Sequence, residues 1–124
     1  MTAGRYDFEV EQGGTFNPTL TWKDSTGALV NLTGATARMQ VRDNHGAATT
    51  VLELTTENGR ITLGGAAGTI ALLVSAADMA AIVVPDAPGP RPTRDCVYDL
   101  ELVIAGVVTR LLRGAFIIFR EVTR

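Results

Sequence analysis

Apolar and polar residues alternate along most of this chain, the pattern of strands with one face in a core and the other in solvent. Tyr6, Phe8 and Val10 interleave with Asp7, Glu9 and Glu11, which predicts a half-buried strand. After the break at Gln12-Gly13-Gly14, residues 15–23 place Phe16, Leu20 and Trp22 on one parity, and Pro18 marks a bulge or an edge position. The turn residues Asp24-Ser25-Thr26-Gly27 precede a short strand at residues 28–32. Across residues 35–42, Ala37, Met39 and Val41 face one way while Arg38, Gln40 and Arg42 face the other. Residues 51–54 and 60–63 read as strands around Glu57-Asn58-Gly59, where Asn-Gly favours a hairpin reversal. Residues 69–74 put Ile70, Leu72 and Val74 on one face.

Ser75 then opens a short helix over residues 76–82. Its hydroxyl can accept from the backbone N–H three residues on, and Asp78 falls in the first turn, near the positive end of the helix dipole. Pro85, Pro88, Pro90 and Pro92 end it and predict an exposed, extended loop over residues 85–95. Residues 97–104 and 107–120 close the chain as a hairpin about a tight Ala105-Gly106 turn. Eight or nine strands with one small helix describe a single all-β domain over residues 1–124, a β-sandwich or flattened barrel.

The last strand departs from the simple pattern. Leu111, Ala115, Ile117 and Phe119 lie on one parity, and Leu112, Phe116, Ile118 and Val122 on the other. Apolar residues on both faces imply cover on both sides. Either the strand crosses from one sheet to the other at Gly114, or a neighbouring subunit covers one face. Leu111, Phe116, Ile118 and Phe119 are therefore candidate packing or contact residues. Pro85, Pro88 and Pro90 are candidate docking residues, since an extended segment can add to a neighbour's sheet edge.

Composition narrows the function classes. A 46 % hydrophobic content is too high for a disordered chain. The net charge of −2, with arginines spread along the chain, argues against a nucleic-acid partner. The most apolar stretch, residues 107–119, is interrupted by Arg110, Arg113 and Gly114, and falls short of the roughly 20 residues of a spanning helix. Asp7, Glu9 and Glu11 are out of place in a secretory leader. Cys96 is the single cysteine, so no internal disulfide forms, which fits a reducing site of synthesis.

Reactive residues are scattered. His45 sits in the Asp43-Asn44-His45-Gly46 turn without a serine or cysteine beside it, and reads as a solvated turn residue. Cys96 has Arg94 nearby, a weak hint of an activated thiol against the plainer reading of a half-buried small hydrophobe. Asp99 and Glu101 share one face at a spacing of about 7 Å, near that of paired-carboxylate hydrolases, but Arg110 or Arg113 on the partner strand can neutralise them. Asp24, Asp43 and Asn44 lack the dense spacing of a calcium loop. Gly13-Gly14 and Gly64-Gly65 have no lysine at phosphate-loop spacing. No catalytic set, cofactor or metal is expected. A carbohydrate-binding module would present exposed aromatics, whereas Phe8, Phe16 and Trp22 read as buried.

Several segments together resemble small structural proteins of tailed phages and prophages: Gln12-Gly-Gly-Thr-Phe16, Leu20-Thr-Trp-Lys-Asp-Ser-Thr-Gly27, Val30-Asn-Leu-Thr-Gly-Ala-Thr-Ala-Arg-Met-Gln-Val-Arg42, Gly68-Thr-Ile70 with residues 72–78, Tyr98-Asp-Leu-Glu-Leu102, and Arg110-Leu-Leu-Arg-Gly114 through Glu121-Val-Thr-Arg124. The chain looks like a relative of the immunoglobulin-like N-terminal domain of phage baseplate upper proteins. That resemblance implies an immunoglobulin-like β-sandwich with a short helix before the closing hairpin. It also implies a non-enzymatic virion subunit, assembled in the bacterial cytoplasm. Such a subunit would be multi-copy or homo-oligomeric and bind other phage structural proteins at the tail, baseplate or neck. The alternative is a capsid decoration protein whose arm at residues 1–5 reaches across capsomers. Baseplate proteins continue into a coiled coil or fibre, whereas this sequence stops at Arg124, which favours a compact accessory subunit.

Overall fold

The alternation resolves into two sheets. In the computed structural model, which describes residues 4–85 and 92–122, the strands are β1 (Gly4–Arg5), β2 (Phe8–Glu11), β3 (Thr19–Thr21), β4 (Thr36–Arg42), β5 (Leu52–Thr55), β6 (Ile61–Leu63), β7 (Thr69–Leu72), β8 (Thr93–Ile104) and β9 (Val107–Phe119). One sheet runs β1-β9-β8-β4-β5, with β2 also on β9, and the other runs β3-β7-β6. The order β9-β8-β4-β5 facing β3-β7-β6 is that of the G-F-C-C′ and B-E-D strands of variable-type immunoglobulin domains. The chain is an immunoglobulin-like β-sandwich.

Period-2 patterning places the core. Ala37, Met39 and Val41 of β4 and Cys96, Tyr98, Leu100 and Leu102 of β8 are buried between the sheets with Ile61, Ile70 and Leu72. A short helix, α1 (Ala76–Ala80), plugs one end through Met79, which is fully buried. Its cap is the expected one: Ser75 Oγ accepts from the Asp78 N–H at 3.2 Å. The helix is one turn rather than two, and ends at Ala81.

Four expectations are corrected. Residues 28–32 form no strand; their one ladder contact is a bridge from Leu29 to Lys23. Asn58-Gly59 does not join a hairpin, because β5 pairs with β4 while β6 pairs with β7 in the other sheet. Asn58 closes the turn on itself instead: its Oδ1 accepts from the Thr55 and Arg60 N–H groups, and its Nδ2 donates to the Glu53 carbonyl. Residues 93–95 belong to β8 and not to the proline loop. Finally, β9 does not cross between sheets at Gly114. It stays in one sheet and slips register at a bulge, with Leu100 opposite Leu112 but Glu101 opposite Arg110, leaving Leu111 as the extra residue. The bulge exchanges which parity faces the core, but after it Phe116 and Ile118 face inward while Ala115, Ile117 and Phe119 lie half-buried on the other face, so that stretch is itself apolar on both.

The chain's first strands pair with its last. β1 and β2 both run parallel to β9, with Arg5 opposite Arg113 and Phe8 opposite Phe116. Between them the backbone of Tyr6 passes directly over Gly114, where an added Cβ would lie only 2.1 Å from the Tyr6 carbonyl oxygen. The Tyr6 N–H donates to the Arg113 carbonyl, the Tyr98 hydroxyl donates to the Tyr6 carbonyl at 2.6 Å, and the Ala115 N–H donates to Asp7 Oδ1 at 2.9 Å. Glycine stands at position 114 because this strap needs the space.

Candidate functional site

The contact residues expected on β9 divide between the core and the surface. Phe116 and Ile118 are each 0 % exposed, packed in the subunit's own core. The Phe116 ring meets those of Phe8, Phe16 and Tyr98 at centroid distances of 5.4–6.3 Å. Their assignment as contact residues for a neighbour is corrected: β2 and β3-β7-β6 supply the cover that another subunit was expected to give. Leu111 and Phe119 remain half-buried. Leu111 lines a small apolar cleft of about 90 Å³ with Leu20, Trp22, Ile70, Leu100 and Leu112, at the side of the sandwich where the bulge faces β3. Pro85 is exposed; Pro88 and Pro90 lie outside the described residues, as do residues 1–3 of the expected N-terminal arm.

The reactive residues are held by ordinary structural partners. Cys96 is 2 % exposed, and burial, reinforced by the nearby Asp43 carboxylate, pushes its thiol up to about 11. Arg94 does not activate it, because its guanidinium grips both Asp43 oxygens at 2.8 and 2.9 Å and donates to the Val83 carbonyl. The hydrogen bonds from Arg94 hold the Asp43 carboxyl below the ordinary carboxylate range. Asp24 is lowered too, by hydrogen bonds from the Thr26 hydroxyl and the Thr26 and Ala28 N–H groups, which close its turn. Asp24 precedes β4 and Asp43 follows it, so the seven-residue strand holds them at opposite ends of the sheet. Among the described residues no cluster of three or more His, Cys, Asp or Glu side chains could hold a metal. No helix among them is long and apolar enough to cross a membrane.

Asp99 and Glu101 do share the outer face of β8, and the cross-strand pairing expected of them is present. Arg110 lies 3.2 Å from Asp99 and 3.3 Å from Glu101, and Arg38 on β4 reaches Glu101 at 2.9 Å. His45 is exposed and lines a shallow depression of about 330 Å³ on this face with Gln40, Arg42, Asp99, Arg110 and Arg113. These partly exposed pairs neutralise the surface without forming an acid–base site.

The surface that sequence reasoning passed over is the tip of the β8-β9 hairpin. Val107 is 65 % exposed and Val108 50 % exposed, beside Ala105, which turns at φ 50°. Leu29, also half exposed, sits in the loop of residues 22–35 at the same end of the sandwich, since that loop leads into the start of β4 opposite the end of β8. The signal lies in Val107 and Val108 side by side at the start of β9, where a strand with one buried face carries an apolar and a polar residue in turn.

No protein-family profile and no curated protein matches the chain. Among solved structures it is similar to the extracellular domain of the voltage-gated sodium channel β4 subunit, a parallel homodimer with a role in cell–cell adhesion, at 10 % identity and a TM-score of 0.44, over 98 % of this chain and 97 % of that one. The likeness bears on neither the partner nor the activity of the present chain.

Proposed function

We propose that the chain is a non-enzymatic virion structural protein, an accessory subunit of a phage tail, baseplate or neck that binds neighbouring virion proteins. The observation that supports this reading best is the exposed apolar tip at Val107 and Val108, held out on the longest hairpin of the domain. Adjacent exposed apolar residues suit a contact surface better than a reaction centre. The phage assignment itself rests on the segments that resemble baseplate domains, whose implied immunoglobulin-like fold the chain adopts. Many copies on a symmetric particle let such small contacts add up.

The test is incorporation. Tailed particles purified from the host that encodes this chain should contain it, and a Val107→Glu, Val108→Glu variant of unchanged circular dichroism should be left behind. Particles that lack the wild-type chain overturn the assignment to a virion. A variant that incorporates as well as wild type overturns the role of the hairpin tip.

A further inference from the structure

The smaller sheet is open along one flank of the sandwich. The corresponding sheet of immunoglobulin domains runs A-B-E-D, and here β3, in the place of B, is the edge strand. Phe16, Pro18 and Trp22 direct backbone groups at Val74, Leu72 and Gly68, so by alternation those of Asn17, Thr19 and Thr21 point away from the sheet. All three residues are exposed, and among the described residues no hydrogen bond meets those outward groups. Pro18 lacks its N–H on the paired side, so the outer edge loses no donor. The core-facing side chains of this flank are only half covered. Leu20 and Trp22 on one sheet and Leu111 and Leu112 on the other are half-buried, whereas Ile70, Leu72 and Leu100, one strand further in, are 1 % exposed. They border the cleft of about 90 Å³, and a second cleft of about 400 Å³ opens on the same flank between β2 and residues 14–18, over Phe8, Val10 and Phe16. The other edges of the two sheets differ. On β5 the outward Glu53 carbonyl and Thr55 N–H are taken by Asn58 and Arg60, and beside β6 the core-facing Ile61 is already buried.

We infer that this flank takes one extended segment of another protein, added as a strand to the outer edge of residues 17–21. Its apolar side chains, at alternate positions, enter the two clefts, and a lysine or arginine lies beside Glu9. Main-chain hydrogen bonds along about 17 Å of edge supply affinity, and the clefts supply specificity. The sign of the partner follows from the lining. Glu9 and Glu11 border the larger cleft, no lysine or arginine does, and residues 12–22 carry no charge. The occupant is a single strand and not the β3 of a second copy. β1 and β2 project beyond β9 on this side, and a β3–β3 pairing drives them into the copy's larger sheet. The inference depends on neither the hairpin tip nor the virion reading.

The probe is a short capped peptide of alternating valine and threonine with a lysine at each end, titrated into the isotope-labelled protein. Amide shifts should centre on Asn17, Thr19, Thr21, Leu111 and Leu112, with a Kd below about 1 mM. No binding in that range, or shifts centred elsewhere, overturns the proposal. Only every second residue of an added strand faces β3, so N-methylation of either the threonines or the valines should abolish binding while the other set leaves it intact. Equal effects of the two sets overturn strand addition. Replacing the peptide's lysines by glutamates should weaken binding roughly tenfold, and Glu9→Lys should reverse that preference. Indifference to both changes overturns the charge assignment. Thr19→Pro removes an outward donor and no ladder bond, and should weaken binding roughly tenfold with unchanged circular dichroism. If that variant unfolds, the N-methylated peptides decide on the wild-type protein.

Discussion

The two halves of β9 have similar composition and opposite fates. After the bulge, Phe116 and Ile118 are sealed in the core; before it, Val107 and Val108 stand in solvent. The difference is the number of neighbours. The later half has β8 on one edge and β1 or β2 on the other, while the hairpin tip has β8 alone. Apolar residues in a strand become core only where a second element covers them, so hydrophobicity by itself does not assign a strand's role.

Substitutions at matched positions sharpen that contrast. Phe116→Ala should cost about 3–5 kcal/mol in denaturant unfolding, the range for a buried aromatic. Val107→Ala or Val108→Ala should stay within about 0.5 kcal/mol. Equal losses at the two ends would remove the distinction. Next in size is Gly114→Ala, expected at up to about 3 kcal/mol because the methyl group collides with the Tyr6 carbonyl. Hydrogen exchange should then quicken at Tyr6 and Ala115 while the hairpin tip is unaffected.

Tyr98→Phe removes the hydroxyl that donates to the Tyr6 carbonyl, and should cost about 1 kcal/mol with the aromatic cluster intact. The smallest effect is expected at Asp43→Asn. Both partners of the Arg94 pair are partly exposed, so it should contribute less than about 1 kcal/mol. Its sign in pH follows from a folded pKa below the unfolded one. The contribution is present above the ordinary carboxylate value near 3.8 and is lost as pH falls through the lower folded value. Wild type and Asp43→Asn should therefore converge in stability in acid. A difference that persists at low pH would show that the pair is not its source.

The strands with strict alternation were legible. Residues 35–42 and 97–104 bury the residues their parity predicted, and Ser75 caps α1 as its position implied. Alternation names a face and not a neighbour, so nothing in residues 6–11 announced a parallel partner more than one hundred positions away. Asn58-Gly59 predicts a hairpin because turn chemistry is local, whereas the destination of the next strand depends on which sheet has room. Val30 and Leu32 mimic a strand through spacing that serves another end. The Leu32 N–H donates to the Gly65 carbonyl, and Gly68 packs so closely that a Cβ would lie 2.9 Å from the Trp22 carbonyl and 3.0 Å from that of Val30. The bulge at Leu111 leaves no mark in a run apolar on both parities, and spacing alone leaves Phe116 and Ile118 open between core packing and contact with a neighbour.

The parallel pairing of the first strands with β9 also sets an order in time. Asp7 and Ala115, which meet across that pairing, are 108 residues apart in the chain. At about 5–20 residues per second, synthesis separates them by roughly 5–20 s, longer than most domains of this class take to fold. Through that interval residues 4–11 lack the strand they pair with. Glu9 and Glu11 then have a second task, since charges at alternate positions discourage a waiting strand from pairing with the open edge of another nascent chain.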